Sequence, residues 1–151
     1  MPNKKTAIDE ARDFFSANQL RWEKIVDKAS KHIDLLNPAE KVWFATMILL
    51  GQADNGGLIS LYYNSAADHM TEILQALQQL KASKILHTIE RMNTLFGDDK
   101  RLKNQDERND IINAWEDGEY DDFIDKMDNV YYENRDSLEI SLHQFILRAE
   151  H

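Results

Sequence analysis

At 151 residues, 42% hydrophobic, with five glycines, two prolines and no cysteine, the chain suits one domain and favours helix over sheet. The absence of cysteine excludes disulfides, thiolate metal sites, thiol nucleophiles and thiol redox switching. The net charge of −9 sits in the last third, since residues 1–97 hold 11 acids and 11 bases whereas residues 98–151 hold 16 and 7, and so acidic a surface repels nucleic acid and anionic lipid while attracting basic partners.

Along the chain, Thr6-x-x-Asp9 predicts the start of a first helix, because both side chains can satisfy unpaired first-turn N–H groups. Leu20, Trp22, Ile25, Val26, Ile33 and Leu36 recur near helical spacing and predict a second. Asn37-Pro38-Ala39-Glu40 combines an Asn cap, proline at the first helical position and glutamate three residues after the cap. The helix it opens is apolar almost all round, from Val42 to Leu50, and is expected to be the central one. That window is too short to span a bilayer, and the first five residues lack an apolar signal segment, so a cytoplasmic location is expected.

Asn55, Gly56 and Gly57 are expected to end this helix, the glycines supplying positive φ. Leu58 to Tyr63 leaves room for a turn or two of helix, with Tyr62 and Tyr63 packed under the joint and Ser65-x-x-Asp68 capping the next helix. Met70, Ile73, Leu74, Leu77 and Leu80 mark that helix, and Ser83 is expected to cap another that ends at Gly97. The short Lys81-Ala82 link makes the two antiparallel. Asp98 to Asp110 reads as a polar loop leading to a helix around Ile111, Ile112 and Trp115, which Gly118 interrupts. Tyr120, Phe123, Ile124, Met127, Val130 and Tyr131 predict a further helix, and Asp136-Ser137-Leu138-Glu139 the cap of a last one. The expectation is a single all-α domain of seven or eight helices.

"DNGGLISLYYNSAADH" (residues 54–69) resembles the N-N-G-G-F-x-x-F-F-x-N-S-x-G signature of a bacterial all-helical family, the domain of unknown function 4375, also called the DNA-mimic protein 19 family. "ILQALQQLKASKILHTIERMNTLFG" and "DDFIDKMDNVYYENRDSLEISLHQFI" resemble its paired helices and its closing acidic segment, so the resemblance runs from about Val42 to Ile146. The motif residues here are Asp54, Asn55, Gly56, Gly57, Tyr62, Tyr63, Asn64 and Ser65. The chain departs from the pattern with Asp54 for Asn, Gln52 for Glu, Leu58 for Phe and Ala67 for Gly. The resemblance implies a DNA mimic, an acidic dimer occupying the DNA-binding surface of a transcription factor.

The chain's own charges bear on that implication. Glu116, Asp117, Glu119, Asp121, Asp122, Asp125, Asp128, Glu133 and Asp136 face only two bases in the same stretch, Lys126 and Arg135. Asp121, Asp125 and Asp128 follow i, i+4, i+7, so a helix sets them in a row, as phosphates stand along a duplex. The same residues suit an ordinary solvated face. A calcium loop from Asp117 to Asp128 fails, with Asp122 where the turn needs glycine and Asp128 where a bidentate glutamate is required.

His32, His69, His87, His143 and His151 lack ligand spacing, and Ser60 and Ser65 lack the G-x-S-x-G elbow. No catalytic residue, metal or cofactor is expected. The leading expectation is a non-enzymatic interaction protein that engages a basic DNA-binding protein, with no direct nucleic-acid or membrane contact and a homodimer by the namesake's precedent. One rival is an immunity protein neutralising a cationic toxin such as a nuclease. The other is a small-ligand binder or enzyme built around the Asn55 to Asn64 joint, with a pocket lined by Tyr62, Tyr63 and Asn64.

Overall fold

The computed structural model describes residues 4–97, 102 and 104–150. The first three residues, His151, and 98–101 and 103 of the expected polar loop lie outside the described residues. Those described form eight α-helices and short 3-10 turns, with no strand among them.

Helix α1 (Ala7–Ala17) opens on the expected reciprocal cap, Thr6 Oγ1 accepting from Asp9 N while the Asp9 carboxylate accepts from Thr6 N. Helix α2 (Gln19–Lys31) follows, and a 3-10 turn at Ile33–Leu35 leads to α3 (Pro38–Gly56). The cap of α3 matches its sequence signature: Asn37 Oδ1 accepts from Glu40 N at 2.8 Å and Glu40 Oε1 from Asn37 N at 3.0 Å. Val42, Trp43, Phe44, Ala45, Thr46, Leu49, Leu50 and Ala53 are all buried, because α3 packs against α2, α4, α5 and α8. Burying a large apolar side chain contributes about 1.5–3 kcal/mol, so this helix anchors the core.

Only one of the two glycines after Asn55 has positive φ. Gly56 is still helical, and Gly57 (φ 79°, ψ 178°) ends α3. Helix α4 (Ile59–Tyr63) and a 3-10 turn (Ser65–His69) then run directly into α5 (Met70–Gln79). Here the expected Ser65 cap is corrected. Ser65 makes no capping bond, because Met70 N donates to Ala67 O and the preceding turn satisfies the helix entry.

The Ser83 cap is likewise not formed: Ala82 holds the cap position of α6 (Ser83–Asn93), with no side-chain bond. The reversal between α5 and α6 comes instead from Lys81, at φ 56°, with Lys81 N donating to Gln78 O and Ala82 N to Leu77 O. This is the left-handed helix stop that glycine usually provides. A 3-10 turn (Thr94–Phe96) ends at Gly97, and α7 (Gln105–Ala114) is capped by Asn104 Oδ1, which accepts from Asp106 N and Glu107 N.

The largest correction is at the C-terminal end, where the two expected helices are one. Helix α8 runs unbroken from Asp121 to Ala149. Met127, Tyr131, Leu138, Leu142 and Ile146 form one buried stripe along it, and packing of that stripe against α1, α3 and α6 outweighs the capping pattern at Asp136.

Candidate functional site

The signature segment is held from three sides. Asp54, on the last turn of α3, accepts from the Tyr131 hydroxyl (2.9 Å) and from Arg135, whose Nε lies 3.1 Å from both carboxylate oxygens and whose Nη2 lies 2.8 Å from Oδ2. Arg135 Nη1 also donates to Asp136 (3.1 Å) and to buried Glu139, and Asp136 takes a second bond from Arg12. The Tyr131 phenol is shifted well above its ordinary range by burial, with the Asp54 hydrogen bond acting in the same direction.

The second support is Asp128. Its Oδ1 accepts from Leu58 N at 2.9 Å, and a Cβ at Gly57 would stand 2.9 Å from its Oδ2. Gly57 is therefore required twice, by its φ and by the carboxylate against it. Burial raises the Asp128 pKa above the usual carboxylate range; the Leu58 bond opposes this and the charge of Asp125 adds to it.

The third is Arg108 of α7, which is 0% exposed. Its Nε donates to Tyr62 O (2.9 Å), Nη2 to Asn64 O (2.8 Å) and Nη1 to Leu102 O (2.6 Å), and Nη1 pairs with Asp68 at 2.8 Å. Gln105 Nε2 donates to Tyr63 O. Tyr62 stacks on Phe96 with centroids 4.5 Å apart and its hydroxyl donates to Asn93. Asn64 Nδ2 donates to Gln52 Oε1 and Ser60 O. Tyr62 and Asn64 are thus committed to the joint rather than to a pocket, and of the two tyrosines only Tyr62 packs under it.

Tyr63 points elsewhere. It is 41% exposed and, with Ile59, Trp115, Tyr120 and Ile124, lines a groove of 320 Å³ whose remaining wall includes the acidic turn at Glu116–Asp121. Gly118, at φ 77°, makes that turn, and Glu119 Oε2 accepts from Glu116 N across it.

The nine predicted acids fall into two groups. Glu116, Asp117, Glu119, Asp121, Asp122, Asp125 and Glu133 are exposed and in no ion pair among the described residues. Asp128 is turned into the joint, and Asp136 is paired with Arg12 and Arg135. No three His, Asp or Glu side chains among the described residues are grouped to hold a metal, and no helix is long and apolar enough to cross a membrane.

The family model described as DMP19-like protein matches residues 34–149. The chain belongs to the DMP19-like family. The match takes in the joint, the groove and all nine acids, and leaves α1 and α2 outside. No curated protein and no solved structure matches the chain.

Sequence reasoning missed Arg108 and the groove. Arg108 lies in a stretch of mixed charge where nothing separates a buried arginine from a solvated one. The groove brings together residues about fifty positions apart. Asp54 and Arg135 were legible only as individual charges; their pairing is tertiary.

Proposed function

We propose that this DMP19-like protein is a non-enzymatic interaction protein whose acidic C-terminal third occupies the nucleic-acid-binding surface of a basic protein. The observation that carries the reading is the set of seven exposed acids between Glu116 and Glu133 without ion-pair partners among the described residues. Asp121, Asp122 and Asp125 stand on the first turns of a helix fixed by packing along its length. A carboxylate row on a rigid rod can meet Lys and Arg side chains that otherwise bind phosphates. Family membership supports the same reading.

The test is capture from a lysate of the source organism at low and then high salt, followed by competition with duplex DNA. A single basic DNA-binding protein should be recovered, released by salt and displaced by the duplex. Reversing Asp121, Asp122 and Asp125 to lysine should weaken its binding by about tenfold or more and flatten the salt dependence. Binding of the variant with unchanged affinity and salt slope would remove the acidic surface from the mechanism.

A further inference from the structure

The groove beside Tyr63 has more structure than a charged face needs. Ile59, Tyr63, Trp115, Tyr120 and Ile124 contribute apolar and aromatic surface to it, and Trp115 packs against both Phe96 (centroids 5.7 Å) and Tyr120 (4.9 Å, near edge-on). Glu116, Asp117 and Asp121 stand around it. A phosphate or a carboxylate would be repelled by these acids, and an aliphatic side chain would leave them without a partner. The complement is a side chain that is apolar or flat along its length and cationic at its tip.

We propose that this groove seats one arginine side chain of the basic partner, its guanidinium over the Tyr63 ring and forked onto a surrounding carboxylate. The inference rests on the acidic-surface reading and names the group that surface recognises first. Arginine fits better than lysine because its planar head stacks on aromatic rings and donates two parallel hydrogen bonds, whereas an ammonium is a strongly hydrated point charge. The bracing of Trp115 means that one wall stands ready before the partner arrives, which reduces the ordering needed on binding.

Hexa-arginine and hexa-lysine peptides, equal in charge, titrated into the full-length chain and its variants test this. Hexa-arginine should bind about two- to fivefold more tightly than hexa-lysine and should shift the indole N–H resonance of Trp115. Tyr63→Ala should erase that margin by weakening hexa-arginine more than hexa-lysine, and Tyr63→Phe should keep it. Equal affinity of the two peptides, or a margin that survives Tyr63→Ala in a variant with unaltered helical melting, overturns the proposal. The combined variant Asp122→Asn, Asp125→Asn, Glu133→Gln tests the parent reading separately. If it binds both peptides as tightly as the original chain, the acidic surface itself fails. If it loses affinity for both while arginine shows no advantage, only the groove does.

Discussion

Two of the side chains that hold the signature segment, Asp128 and Arg108, each give a measurable expectation. Asp128 has a pKa raised by burial, so the folded state holds its proton more tightly than the unfolded chain does. Stability from this group is therefore fully present below the ordinary carboxylate range and declines as pH rises through the raised folded value. Asp128→Asn removes that titration while keeping an oxygen for Leu58 N. Urea midpoints of the variant relative to the original chain should rise from acidic to neutral pH, and a pH-independent difference would show that Asp128 is not desolvated. Arg108 answers three backbone carbonyls and Asp68. Arg108→Met keeps most of the volume and removes every donor, so denaturant unfolding should show a loss of about 3–5 kcal/mol. A loss under 1 kcal/mol would mean that water replaces the guanidinium without difficulty. Neither role was legible in sequence, where Asp128 is one of nine acids and Arg108 one base in a polar run.

Among the elements, those that start and stop through local chemistry were legible and those decided by packing were not. The caps at Thr6 and Asn37 and the turns at Gly57 and Gly118 lie where their residue types place them. The serines at 65 and 83 show the limit: each is of a type that can cap a helix, and neither side chain does. Helix α8 is the clearest case. Asp136-Ser137-Leu138-Glu139 reads as a helix start, yet Leu138 and Glu139 are buried mid-helix and Asp136 is held by two arginines. Proline separates the two alternatives. At the first position of a new helix, Ser137→Pro would be nearly neutral. Inside a continuous helix it removes a backbone bond and clashes with the preceding turn, so thermal unfolding should show destabilisation of about 3 kcal/mol or more.

Across the whole molecule, the all-α class, the central helix and the charge asymmetry could be read from composition and periodicity, which report averages over many residues. The candidate site could be read only in part. Seven of the nine acids are exposed and in no ion pair among the described residues, but sequence spacing alone could not turn Asp128 inward, bring Arg12 to Asp136, or assemble Tyr63 with Trp115 and Tyr120. Those arrangements depend on which faces the core claims first. The charge-reversal and peptide experiments belong to this scale, because both ask whether the exposed acids and the groove residues brought beside them act on one partner together.

The uninterrupted run of α8 has a further consequence. The segment that displays Asp121 and Asp125 also carries Tyr131, Leu138 and Leu142 into the interior, and each residue advances a helix by about 100°. Inserting or deleting one amino acid between Tyr131 and Leu138 would turn the two halves of the helix about 100° against each other, so that the displayed groups could keep their bearing only if Leu138 and Leu142 left the interior. Length within that short interval is thus under as much constraint as the identity of the charges.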